Sequence, residues 1–251
     1  MFSVRIFCLL ISLLLAFGCA IARLSSLTLV FADLPSAGLR QTPILPTGND
    51  SLLTGGRYAA YTQGNENYGM PGWTRNNGTR FHQGVDILPR LFTTSGQPKD
   101  PIYAILDGRV VVANSDPGRS GYGKYVMLEH TWADGRPFVS LYAHLASVGV
   151  RRGDRVAQGA TIGIMGTTSR DPIGRRYLRA MPHCHFEVGR LIDSNFSLTR
   201  ASRHLSPPNF SGNYDPRNVQ RYNPVEFLKK YDAYRYRPVQ QQAALTGLPN
   251  P

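Results

Sequence analysis

From residue 81 onward, short β-rich runs follow one another with no room for helices between them. Runs at 84–88, 102–106, 109–113, 125–129, 138–144, 161–165 and 183–188 are split by Asp107-Gly108, Asp116-Pro117-Gly118, Asp134-Gly135 and Arg152-Gly153-Asp154. Parallel strands need a crossover of roughly a dozen residues or more, usually helical. Asp-Gly between β-rich runs is a hairpin signal. The spacing therefore predicts a mainly β chain with a largely antiparallel sheet. The 25 Gly and 18 Pro of the chain argue equally against a helical bundle. One helix is predicted at 223–231, read as NPVEFLKKY. Asn223 is its N-cap, Pro224 its first residue, Glu226 its N3 residue, and Lys229 and Lys230 suit its C-terminal end. Residues 23–56 read as a linker or extended arm and 58–80 as loops.

The N-terminus sets the expected compartment. Residues 1–22 carry Arg5, then an apolar run from Ile6, then Ala20-Ile21-Ala22. That is the three-part pattern of a secretory signal peptide. A short membrane anchor is the weaker reading, because the run sits at the lower limit for spanning a bilayer. Ala16-Phe17-Gly18-Cys19 only loosely resembles a lipobox, since Phe17 fits it poorly. Cleavage after Ala22 leaves Cys184 as the one cysteine, so the exported domain has no internal disulfide and relies on its core. Lys+Arg number 28 against 16 Asp+Glu, for a net charge of +12. Such a charge points to anionic partners. No helix-turn-helix, zinc-finger or RNA-binding signature supports nucleic acid.

The histidines carry the chemistry. His82-Gln83-Gly84-Val85-Asp86 places His and Asp four apart, on one face of a strand. In His183-Cys184-His185-Phe186-Glu187-Val188, strand parity puts His183, His185 and Glu187 on one side. Cys184, Phe186 and Val188 fall on the apolar side. Two imidazoles and a carboxylate are ligand types that zinc takes, and three protein ligands leave a fourth position for water. His130 reads as structural or exposed. His204 has no ligand partner at useful spacing.

Taken in order, FHQGVDI (81–87), SLYAHL (140–145) and MPHCHFEV (181–188) resemble the M23 family of zinc metallopeptidases, the lysostaphin/LytM type of peptidoglycan endopeptidase. The resemblance covers about 78–192. PIYAILDGRVV, GYGKYVMLEH and VRRGDRVAQGATIGIMG also look like the family's core strands. It implies an antiparallel β-sheet groove with a core like a barrel-sandwich hybrid, and a short C-terminal helix. Together with the leader pattern and the looser texture before residue 78, it gives boundaries of a signal peptide at 1–22, an N-terminal arm and loops at 23–77, the peptidase domain at 78–192 and an extension at 193–251. His82, Asp86 and His185 match the family's ligands for one zinc ion, and His144 and His183 its two catalytic histidines. The motifs leave open which of those two is the base and which polarises the carbonyl. Cys184 stands where Leu is usual, and parity assigns it to the core. The stretches 169–181 and 88–99 are longer than usual.

The chemistry so implied is hydrolysis of peptide cross-links in peptidoglycan. Zinc lowers the pKa of water to about 7 and polarises the scissile carbonyl, while neutral imidazoles shuttle the proton. HExxH is absent. Residues 171–181 are expected to form a loop, turned by Asp171-Pro172 and Gly174, that walls the groove. Arg175, Arg176 and Arg179 on it would fork onto carboxylates of stem peptides. Anionic wall polymer or a membrane surface is a further contact for the basic charge. Two other readings stand beside this one. A biotinyl or lipoyl carrier, suggested by 150–166, needs an exposed lysine, and none lies between Lys124 and Lys229. A non-catalytic M23-like wall binder or amidase activator is marked by missing zinc ligands, whereas all five His and Asp positions are intact.

Overall fold

The structure, a computed structural model, describes residues 30–196 and 212–236. The expected leader at 1–22 and His204 lie outside the described residues. The strands are β1 (Gly72–Arg75), β2 (Arg80–His82), β3 (Val85–Ile87), β4 (Pro101–Tyr103), β5 (Gly108–Asn114) and β6 (Lys124–Thr131). They continue with β7 (Pro137–Val148), β8 (Arg155–Val156), β9 (Thr161–Met165), β10 (Cys184–Leu191) and β11 (Val219–Tyr222). The α-helices are α1 (Ser51–Thr54), α2 (Pro172–Ala180) and α3 (Pro224–Lys230). Nine strands make one sheet with the path β11-β10-β7-β6-β5-β8, while β1 and β2 form a separate hairpin. Every pairing between these strands is antiparallel, as the turn spacing predicts. Among the described residues, no helix is long and apolar enough to cross a membrane.

Strand β7 is the spine. Its 12 residues are long enough to pair with β6 on one side and with both β10 and β9 on the other. Parity divides it cleanly at first. Phe138 and Tyr142 enter the large core, and Val139, Leu141 and Ala143 a smaller cluster on the opposite face. The alternation then breaks. Lys124 pairs with Leu145 but Val126 with Tyr142, so two steps along β6 face three along β7. His144 sits in this bulge with φ of 62°, a left-handed conformation uncommon for a side chain of its size. Past it Leu145, an odd position, falls in the large core with the even ones. The extra residue turns His144 away from that core.

The large core receives Cys184, Phe186 and Val188 from β10, and Val85 and Ile87 from β3. The other face of those strands is thereby left for polar groups. Trp132 stacks on Phe138 at 4.3 Å and meets Phe227 of α3 at 6.1 Å. Helix α3 forms where its capping signals place it. Asn223 Oδ1 accepts from the Val225 and Glu226 amides at 3.0 and 3.3 Å, and Phe227 and Leu228 are buried. His130 is buried. Its Nδ1–H donates to the Asp107 carbonyl, and its Nε2 lies 2.7 Å from Ser140 Oγ. Burial pushes its pKa down to about 4, so it is a neutral structural group.

Two local expectations are corrected. Residues 58–80 are not all loop, because they contain the β1–β2 hairpin. Its turn is made by Asn76, Asn77 and Gly78, all at positive φ (48°, 55° and 86°), which Asn and Gly tolerate best. Residues 171–181 are not a turned loop but helix α2. Asp171 accepts from the Ile173 and Gly174 amides at 3.2 and 2.9 Å, so Asp171-Pro172 is an N-cap followed by the first helical residue. The 23–56 region contributes Leu45, 2% exposed, to the large core.

Truncating Phe227 to Ala should destabilise the domain by about 3–5 kcal/mol, the range for a buried aromatic. Asn223→Ala should cost about 1 kcal/mol through the lost cap. Urea unfolding checks both, and each should shift the midpoint without changing the slope.

Candidate metal centre

Three strands bring the ligand types together. Asp86 of β3 pairs directly with His185 of β10, so both side chains leave the sheet on the face opposite the large core. His82 ends β2, two residues before Gly84. A Cβ on Gly84 would lie 2.5 Å from the Phe186 carbonyl oxygen and 2.8 Å from the His185 ring, so only Gly lets this segment press against β10. Ala143 faces His185 across β7–β10 and keeps the site open with a small side chain.

Donor atoms of His82, Asp86 and His185 lie within 4.8 Å of one another, and all three residues are buried. His185 Nδ1 is 2.8 Å from Asp86 Oδ1 and 3.1 Å from His82 Nε2. His82 Nε2 is 3.1 Å from the same carboxylate oxygen. The outward nitrogens settle the tautomers. His82 Nδ1–H donates to the Met70 carbonyl at 2.8 Å, and His185 Nε2–H donates to Glu187 Oε1 at 2.8 Å. Each imidazole is thus tied from behind and turns its other nitrogen inward, the arrangement that orients metal-bound histidine. Two imidazole nitrogens and a carboxylate oxygen converge, and once His185 Nδ1 gives up the proton it shares with Asp86 they are the donor set of a zinc site. The residues present fit that ion.

His183 and His144 stand beside the cluster. His183 Nδ1–H donates to the Met181 carbonyl at 2.8 Å, and His144 Nδ1–H to the Thr168 carbonyl at 2.9 Å. Both Nε2 atoms are left free of those bonds. His183 Nε2 is 3.4 Å from Asp86 Oδ2, and the two rings are 5.2 Å apart, edge to face. Burial lowers the pKa of His183 to about 4 and of His144 to about 3, with neighbouring histidines adding to the effect. Burial also works against the Asp86 charge. His183 and His82, with hydrogen bonds from His185 and His82, outweigh it and hold the carboxyl well below the usual range. His185 moves the other way. Burial would lower it, but hydrogen bonds to Asp86 and Glu187 raise it to about 9.

Several residues around the site lie outside the three histidine-bearing motifs. Arg75 of β1, 6% exposed, donates from Nη2 to Asp86 Oδ2 and lies 3.0 Å from His82 Nε2. Its guanidinium stacks 3.9 Å over the Tyr68 ring. Among the described residues, Arg75 Nε is a buried polar atom without a hydrogen-bond partner. Tyr122 accepts the His144 amide with its carbonyl at 2.9 Å, and its ring lies 5.6 Å from the His185 ring. From α2 it is Tyr177 that approaches the site, 6.3 Å from the His183 ring and 5.2 Å from Tyr68. Arg175, Arg176 and Arg179 are exposed on that helix and are not part of the cluster.

Metal uptake should release a proton. His185 is held protonated to about pH 9 in the metal-free protein, and zinc takes the Nδ1 lone pair. Calorimetry at pH 7 in buffers of different ionisation enthalpy should therefore report about one proton released per zinc. Release near zero would mean that His185 does not give up its proton to the metal.

The profile of Peptidase family M23 matches residues 80–195. The chain is 30% identical over 107 residues to the peptidoglycan DD-endopeptidase ShyA of Vibrio cholerae, covering 43% of this chain and 20% of that one. It is 30% identical over 94 residues to the lipoprotein NlpD of Yersinia enterocolitica, covering 38% of this chain and 81% of that one. The catalytic domain of the antimicrobial peptidase lysostaphin from Staphylococcus simulans aligns with a TM-score of 0.38 at 25% identity, over 64% of this chain and 90% of that one. The chain spans between 17% and 31% of the length of the larger curated relatives that it matches. With its antiparallel sheet and this match, the chain belongs to peptidase family M23.

Proposed function

We propose that this chain is an exported zinc metalloendopeptidase that hydrolyses peptide cross-links of bacterial peptidoglycan. The observation that carries the reading is the convergence of three inward donor atoms, from His82, Asp86 and His185, beside two neutral imidazoles. The matched relatives include a peptidoglycan endopeptidase, and the family is zinc-dependent. We take 78–192 as the peptidase domain, 1–22 as its leader, 23–77 as an arm and 193–251 as an extension.

A zinc ion held by His82, Asp86 and His185 supplies a Lewis acid and lowers the pKa of water. The chain's own groups do the rest. Met70 and Glu187 fix the ligand tautomers. His144 and His183 stay neutral at working pH and each offers Nε2 to hold or move a proton. A proton taken up by His183 Nε2 lies next to Asp86 Oδ2, so the imidazolium is stabilised where it forms. The left-handed backbone at His144 is a local strain of the kind that clusters at functional sites. It is maintained by the bonds from its amide to Tyr122 and from its ring to Thr168. Arg175, Arg176 and Arg179 stand on the rim as partners for anionic stem peptides.

A second reading, a non-catalytic wall-binding or amidase-activating protein, draws on Arg75. Its guanidinium already supplies a positive charge to Asp86 and His82. Metal content separates the two readings.

His185→Ala should lose zinc and all hydrolysis of purified peptidoglycan. His144→Ala should keep one equivalent of zinc while turnover falls by about 10²–10⁴-fold, the size of a proton-transfer contribution. Metal analysis with mass spectrometry of the digests reads both, and zinc leaving with His144 would reassign the ligand set. Replacing Arg175, Arg176 and Arg179 together by Ala should raise KM for cross-linked stem peptides far more than for an uncharged peptide, at unchanged zinc content. Equal effects on both substrates would remove the arginines from recognition.

A further inference from the structure

His185 is the one histidine of the site whose outward nitrogen meets a carboxylate rather than a backbone carbonyl. That carboxylate, Glu187, is itself enclosed. Its Oε1 accepts from Tyr122 Oη–H at 2.8 Å as well as from His185, and its Oε2 accepts from Arg221 Nε at 2.8 Å. Arg221 is anchored in turn, donating from Nη1 to the Val219 carbonyl at 2.6 Å and from Nη2 to Tyr122 Oη at 3.3 Å. Glu187 is 2% and Arg221 8% exposed. Arg221 belongs to β11, beyond the 80–195 stretch that matches the family profile. In the β10–β11 ladder it pairs with Gly189, on the same face as Glu187 two residues away. A Cβ on Gly189 would meet the Gln220 carbonyl oxygen at 2.6 Å and Arg221 Cα at 3.2 Å. The missing side chain is what lets β11 close in and the guanidinium reach back to Glu187.

We propose that Arg221, with Tyr122, positions His185 through Glu187, so that the strand after the family region is part of the metal centre. The proposal rests on the reading of His185 as a ligand. A carboxylate behind a metal-bound imidazole fixes its tautomer and ring orientation. Glu187 can do so only while ionised and held in one rotamer. Arg221 Nε meets that charge directly at Oε2, 2.8 Å away, in a pocket where both side chains are buried. The guanidinium occupies Oε2, which leaves Oε1 to Tyr122 and His185. Without Arg221 the carboxylate can turn, and His185 Nε2–H loses its fixed acceptor. Arg221 touches no ligand atom, so it is a positioning residue and not a catalytic one.

The test measures zinc affinity of the full chain by chelator competition at pH 7.5, on variants first shown by circular dichroism to be folded. Arg221→Met and Glu187→Gln should each weaken zinc binding about 10–100-fold, the usual cost of losing such an outer partner. Arg221→Lys should recover part of the loss, and Tyr122→Phe should give a smaller one. The same samples, labelled with ¹⁵N-histidine, should show a slowly exchanging His185 Nε2–H in the wild type that is lost in Arg221→Met. Unchanged affinity in the folded variants would overturn the proposal, because a merely structural ion pair shifts unfolding and not zinc affinity. If Arg221→Met does not fold, Arg221→Lys and Tyr122→Phe decide. A wild type that takes up no zinc would refute the proposed function instead. The Nε2–H signal, which depends on Glu187 in the metal-free protein too, would then judge this proposal on its own, and its persistence in the variants would overturn it.

Discussion

Asp86 is fully buried, so its charge has to be met from inside the protein. Everything at the site is arranged around that requirement. His82 and His185 turn one nitrogen each toward its Oδ1, and Arg75 and His183 lie on the side of Oδ2. Desolvation alone would protonate the carboxyl, and the cationic and hydrogen-bonding partners reverse that. A divalent cation at the convergence of His82, Asp86 and His185 meets the same demand more strongly than any side chain can. Arg75 therefore has two relations to the site. It balances Asp86, and it stands where a metal's field would repel it.

The sheet makes such a site possible by having two unlike faces. On β10 the even positions, Cys184, Phe186 and Val188, are committed to the large core. The odd positions, His183, His185 and Glu187, are free to be polar on the other side. Direct pairing of Asp86 with His185 then places the carboxylate by register alone. Strand β7 would break the pattern, since parity would send His144 into the core beside Tyr142. One inserted residue in a left-handed conformation corrects this. The cost of the bulge is offset by an amide bond to Tyr122 and a ring bond to Thr168. Gly123, at φ of 62°, allows that loop to close, because a Cβ there would lie 2.2 Å from the Thr168 carbonyl oxygen.

Much of this was legible in the sequence, wherever the signal was local. Alternation at 183–188 assigns the two faces of β10 without any structure. Asp-Gly spacing gives an antiparallel sheet, and Asn223-Pro224 starts a helix that does form. The misses have physical reasons. Asp171-Pro172 opens a turn or a helix equally well, and the following residues, Gly174 among them, hid α2. The Asn76-Asn77-Gly78 turn was a hairpin signal lost among other Gly and Asn residues. Arg75 and Arg221 had no motif, because each reaches the site only through long-range pairing of strands, and Tyr122 lay in GYGKYVMLEH, a run legible only as core strand. The bulge at His144 depends on how β6 and β7 register, which no run of residues in either strand declares.

X-ray absorption spectroscopy of the zinc-reconstituted protein tests the central claim most directly. Three inward donors from His82, Asp86 and His185 predict a first shell of nitrogen and oxygen only. Multiple scattering should fit two imidazoles, with no sulfur. Folded protein that takes up no zinc, or a shell with one imidazole or a sulfur ligand, would contradict the account.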